Sequence, residues 1–205
     1  MRCLLCGKDY LSEGSLYDML LNDDPLCHAC RKAWLRCSKR VTLEPFHVHS
    51  IWTYNEAFSK ALFQYKECHD EALAPIFLAP FARRLHFRYH GYTLLLMPSI
   101  KAKQEERGFD HLAEIFSLLH LPMLSPFYKS DPSAQKEKTW RQRQQIISHI
   151  HRNPNIFLPQ KILLCDDVIT TGATLKGALH TLDPKRHCIR ILTVAAVFKK
   201  DLPAS

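Results

Sequence analysis

The stretch ILLCDDVITTGAT, residues 162–174, leaves few folds open to the chain that carries it. A four-residue apolar run ends in two adjacent carboxylates, Asp166 and Asp167, and three threonines with a glycine follow at once. An apolar run of that length reads as a strand buried on both faces, and the small residues after it read as a turn into a helix. Strand, tight turn and helix together imply a parallel α/β sheet, in which ligands bind beyond the carboxyl ends of the strands. Asp166 and Asp167 fall on that rim, where charge need not be buried unpaired, and they offer acceptors for vicinal hydroxyls, directly or through a magnesium ion. Thr170, Thr171, Gly172, Ala173 and Thr174 are small enough to let a phosphate approach the backbone at a helix N-terminus, where amides and the helix dipole favour an anion. One turn would then read the hydroxyls of a sugar phosphate at one end and its 5-phosphate at the other. The plainer alternative is a threonine-capped helix with solvated aspartates.

The rest of the chain fits that sheet. The pattern predicts a strand from residue 50, helices over 56–65 and 70–85, a strand over 93–97, a polar loop KAKQEERG over 101–108 and a helix over 110–119. An extended piece follows over 124–128, then a helix over 134–150, a strand over 161–165, a helix over 174–182 and a strand over 189–197. Alternation of this kind implies a mostly parallel sheet flanked by helices.

The first 46 residues differ in kind. CLLC at 3–6 and CHAC at 27–30 place Cys3, Cys6, Cys27 and Cys30 as two C-x2-C pairs twenty residues apart. Two such pairs supply four thiolates to a tetrahedral zinc site, which is closed and therefore structural. The expected organisation is a zinc-binding module over 1–46 and an α/β domain over 47–205. Arg31, Lys32, Arg36, Lys39 and Arg40 surround Trp34, a pattern open to two readings. One is a basic surface for single-stranded nucleic acid with a stacking ring, the other a solvated helix face with Trp34 packed inward.

Eight cysteines without an export signal suit a reducing compartment, so a cytoplasmic location is the expectation. The longest apolar run, YTLLLMPSI, is broken by Pro98, well short of the roughly 20 residues that a membrane span needs. The formal charge of +8 falls mostly after residue 50 and favours a polyanionic partner. Its most biased part, residues 80–103, has Arg83, Arg84, Arg88, Lys101 and Lys103 among Phe81, Phe87 and Tyr89, and no acid.

ILLCDDVITTGAT also resembles the 5-phosphoribosyl 1-diphosphate (PRPP) signature of type I phosphoribosyltransferases. With the paired cysteines, Tyr65-Lys66 before Asp70, ERGFDHLA at 106–113, and Gln135 with Arg141, the whole chain resembles the ComF family of competence proteins. The resemblance implies a zinc finger fused to a type I phosphoribosyltransferase-like domain, acting on single-stranded transforming DNA beside a helicase-like competence ATPase of the ComFA type. It implies PRPP with magnesium held by Asp166 and Asp167 at the ribose and by Thr170 to Thr174 at the 5-phosphate, with Lys66 at the diphosphate and Arg107, after a mobile loop, covering the ligand. Recruitment to the inner face of the membrane would come from partners. The family's R-G-F-N-Q is Arg107-Gly108-Phe109-Asp110-His111 here, and the acid of purine-salvage turns is replaced by Thr170, which cannot act as a base near neutral pH. Whether the pocket turns over as a transferase, and on which amine or nitrogen acceptor, stays open.

Overall fold

The computed structural model describes residues 1–10, 24–99, 101–129 and 150–198. A short helix α1 (His28–Lys32) precedes a hairpin of β1 (Val41–Leu43) and β2 (Phe46–Thr53). Helix α2 (Glu56–Glu67) starts where the Asn55 side chain accepts from the Phe58 N–H, and buries Phe58, Ala61, Leu62 and Tyr65, a stripe at helical spacing.

The expected helix over 70–85 is broken instead into a 3-10 turn (Glu71–Leu73), α3 (Pro75–Leu78), a second 3-10 turn (Ala79–Phe81) and α4 (Ala82–Arg88). Pro75 and Pro80 lack the amide a continuous helix requires, so each fits only in a first turn. Strand β3 (Thr93–Leu96) follows.

KAKQEERG, expected as a polar loop, forms helix α5 (Lys101–Arg107). Lysine, alanine, glutamine, glutamate and arginine are strong helix formers, and Gly108, at φ 81°, supplies the left-handed residue that ends the helix. Helix α6 (His111–Ser117) is capped by Asp110, whose carboxylate accepts from the Leu112 and Ala113 amides at 3.0 and 3.2 Å. Strands β4 (Met123–Leu124), β5 (Phe127–Lys129) and β6 (Ile150–Arg152) come next. Of the expected helix over 134–150, residues 134–149 lie outside the described residues, and Ile150 opens a strand. Strand β7 (Lys161–Ile169), helix α7 (Ala173–His180) and strand β8 (Cys188–Ala196) complete the order.

Six strands form one sheet in the order β1-β2-β8-β7-β3-β4; only the β1–β2 pair is antiparallel, and β5 and β6 form a separate ribbon. Its centre is dry: Leu94, Leu95, Ile162, Leu163, Leu164, Leu192 and Val194 are fully buried. Trp34 is packed inward, 4% exposed, with its ring centroid 5.3 Å from Trp52 and 4.9 Å from Phe58. Among the described residues no helix is long and apolar enough to cross a membrane.

The strand lengths decide where a ligand can enter. Strand β7, expected to stop at Cys165, continues through both aspartates to Ile169 and stays paired with β8 as far as Ala196. On its other side β3 ends at Leu96, opposite Cys165. The aspartates are therefore inside a strand on one side and past the end of its neighbour on the other, and the gap left by β3 is the opening.

Candidate functional sites

Two sites come together from separate parts of the sequence. The first is the cysteine cluster. Cys3 and Cys6 lie on a turn in which the Gly7 amide donates to the Cys3 carbonyl at 2.9 Å with Gly7 at φ 71°, while Cys27 and Cys30 flank the start of α1. Their four sulfurs lie within 4.8 Å of one another, and Cys6 and Cys27 are 3.8 Å apart. Zinc bound to four sulfurs at about 2.3 Å sets them about 3.8 Å apart, so the cluster is compatible with a structural zinc ion. Burial acts to raise the Cys3 thiol, but hydrogen bonds from the Cys27, Cys6 and Leu5 backbone outweigh it and bring it down to about 6. Cys30 is pushed the other way, well up, by burial and by the neighbouring thiols, so without a cation among them the four sulfurs do not ionise together.

The second site opens beside β3. Lys66, on the last turn of α2, reaches its ammonium onto Asp167 Oδ2, and His111 Nε2 lies 3.4 Å from the same oxygen. Burial alone would raise the Asp167 carboxyl, but the hydrogen bond from His111 and the Lys66 charge hold it well below the usual carboxylate range. Asp166 is pushed the other way, well up, by burial and by the Asp167 charge beside it. Two neighbouring carboxyls with opposed tendencies are a mark of functional sites. Lys66, Arg107, Asp166, Asp167 and Thr174 all line one cavity of about 270 Å³, together with His111.

The remaining expected residues, Thr170 to Ala173, lie outside its lining. Thr170 and Thr171 are exposed, Ala173 is half-buried, and none of the three lines the cavity. Gly172 caps α7 at φ 73°, and a Cβ there would come 2.5 Å from Leu43 Cδ1. Only glycine fits that position, and with no side chain of its own to accept there, the Ala173 amide donates instead to the Thr171 hydroxyl at 3.4 Å.

Arg107 is not on a loop. It ends α5, is 7% exposed, and donates from Nε to the Lys66 carbonyl at 2.8 Å, with Nη1 3.2 Å from His111 Nδ1. Arg107 therefore braces Lys66 and His111 while still lining the cavity.

No family model matches the chain. Two curated proteins do match it: competence protein ComFC of Streptococcus pneumoniae is 27% identical over 89% of this chain and 94% of its own length. ComFC of Bacillus subtilis is 24% identical over 88% of each. The chain is ComFC-like over nearly its whole length. Among solved structures, the crystal structure of a hypoxanthine phosphoribosyltransferase from Staphylococcus aureus aligns with 66% of this chain and 69% of that one, at 13% identity and a TM-score of 0.37.

The sequence pattern did not single out His111 as a site residue. It is 5% exposed, its Nδ1 lies 3.3 Å from Ser99 Oγ, and its carbonyl accepts from the Tyr65 hydroxyl at 2.9 Å. Burial lowers its pKa, as do the Lys66 and Arg107 charges, against the pull of Asp167. The signal available in the sequence was Asp110-His111 at a helix start: Asp110 serves as the cap, and the next residue brings an imidazole to Asp167. Of the three rings set among the basic residues of 80–103, Tyr89 is buried and Phe81 half-buried, while Phe87 is 72% exposed.

Proposed function

We propose that the chain acts in natural transformation, in the uptake or processing of single-stranded DNA, and that the cavity beside Asp166 and Asp167 binds PRPP with magnesium. The observation that carries the pocket reading is the meeting of Lys66 and His111 on Asp167 in the lining of that cavity, with Arg107 holding both from behind. The competence reading is supported by similarity to two competence proteins across about nine-tenths of the chain.

Asp166 and Asp167 supply the hard oxygen donors suited to magnesium and to ribose hydroxyls. Lys66 would exchange its contact with Asp167 for the diphosphate, and the turn from Thr170 to Thr174 would take the 5-phosphate at the start of α7. Magnesium, when bound, would offset the charge of the diphosphate. The Cys3, Cys6, Cys27 and Cys30 cluster would hold zinc and present a zinc-finger module to a helicase-like competence ATPase on the cytoplasmic side of the membrane.

One observation favours a second reading, an active transferase. His111 lies against the same carboxylate and is kept neutral, able to hold a proton near a reacting amine or ring nitrogen. The test is transformation of a competent strain lacking its own ComFC. Wild type is expected to restore transformation, and a chain with Asp166→Asn and Asp167→Asn to fail. Full restoration by the double variant would remove the pocket from the function. Diphosphate release on adding PRPP and an amine would favour the transferase.

A further inference from the structure

A larger cleft, about 480 Å³, lies at the other end of the sheet. Lys39, Arg40, Arg88 and Arg190 line it with His47 and His49, and no carboxylate does. These cations come from three places: the segment leading into β1, the end of α4 and the first part of β8. Arg190 pairs with Leu163 in β7, four residues before Asp167. At about 3.3 Å per residue the two sites are separated by about 13 Å along that strand.

Among the described residues none of Arg40, Arg84, Arg88 and Arg190 forms an ion pair with a carboxylate. Arg88 lies over the Tyr89 ring and Arg190 over the Tyr92 ring, at 5.9 and 5.4 Å. A ring orders a guanidinium without cancelling its charge. The field extends past the cleft: burial and then Arg88, Arg84 and Arg36 depress His49, and Arg84 acts on Arg36 in turn. Positive charge spread over several elements suits a ligand whose negative charge repeats along its length better than one small anion.

We propose that this cleft is the seat of a single-stranded nucleic acid, whose phosphodiester backbone lies across Arg40, Arg88 and Arg190 at the end of the sheet opposite the Asp166–Asp167 cavity. Each phosphate takes the place of counterions around an exposed guanidinium, an interaction that reads charge and not sequence. The inference rests on the reading that the chain handles single-stranded DNA; it adds where the strand is held. A strand in the cleft leaves the sugar-phosphate cavity free, so both ligands can be bound at once.

The experiment is fluorescence anisotropy of a labelled oligothymidylate with the full zinc-loaded chain over a range of salt. Arg88→Gln with Arg190→Gln is expected to weaken binding about tenfold, as removal of charge-assisted hydrogen bonds does, and to reduce the slope of log affinity against log salt by about 0.7 for each phosphate no longer neutralised. Arg40→Gln alone should lower the slope by about 0.7, a separate arm should the paired variant fold poorly. The charge-matched pair Lys60→Gln and Lys176→Gln, on α2 and α7, should leave the slope unchanged. No oligonucleotide binding by wild type would overturn the DNA reading itself. Wild-type binding with equal affinity and slope in the cleft variants would overturn only the placement. Displacement of the strand by polyglutamate as effectively as by unlabelled oligonucleotide of equal charge would overturn the choice of nucleic acid over an acidic protein.

Discussion

Gly172 carries two independent constraints, and each makes a prediction about substitution. Its φ of 73° strains any L side chain, and a Cβ would meet Leu43 on β1. Gly172→Ala should therefore cost about 1–3 kcal/mol in urea unfolding, and measured against a Leu43→Ala background the same substitution should cost less, by its steric part, but still destabilise. No cost of Gly172→Ala in that background would show that backbone strain is absent. His49 makes a different prediction. Burial and the Arg88, Arg84 and Arg36 charges lower it to about 4, whereas an unfolded histidine titrates near about 6.5. Between those values the unfolded chain binds more protons than the folded one. Stability present above about pH 6.5 should thus be lost as the pH falls towards about 4. An NMR titration should find His49 near 4, and Arg88→Gln should raise it; a value near 6.5 in wild type would contradict the positive field around it.

The elements show what a sequence carries plainly and what it carries only in context. ILLCDDVITTGAT is legible as strand, turn and helix because its apolar run, acids and small residues each point to one local structure. The length of β7 is not, because whether an aspartate stays in a strand depends on how far its neighbours run: β8 continues to Ala196 and β3 stops at Leu96. KAKQEERG misleads when polarity is weighed above helix propensity, and residues 70–85 mislead when periodicity is weighed above Pro75 and Pro80. The four cysteines are legible from spacing alone. Their tie to the core is not: Arg31, next to Cys30, pairs with Asp24 at 2.5 Å, donates to the Ile76 carbonyl at 2.9 Å and lies over both Trp34 and Trp52. Removing the metal should therefore perturb the packed tryptophans. A chelator is expected to shift tryptophan fluorescence and zinc to restore it, and Arg31→Ala should destabilise by about 1–3 kcal/mol by stranding Asp24. Fluorescence indifferent to chelation would separate the cysteine cluster from the core.

At the scale of the whole molecule, one mostly parallel sheet presents two unlike ends. The carboxyl end of β7 gathers Asp166, Asp167, Lys66, Arg107 and His111 around a cavity, and the opposite end gathers Arg40, Arg88 and Arg190 around a cleft with no carboxylate in its lining. Of the first, only Asp166 and Asp167 belong to a motif of contiguous residues; Lys66, Arg107 and His111 reach the site from the end of α2, the end of α5 and the start of α6. The second is hidden, since Lys39, Arg88 and Arg190 lie far apart in sequence and only the β2–β8 pairing and the end of α4 bring them together. That the cavity takes PRPP with magnesium is tested most directly by thermal melting. At about 100 times its dissociation constant a ligand of the folded state alone adds about 2.7 kcal/mol of stability. The expected result is a clear rise in the melting temperature of the wild type with PRPP and magnesium together, and none with Asp166→Asn and Asp167→Asn. An equal rise in both proteins, or no rise in either, would contradict it.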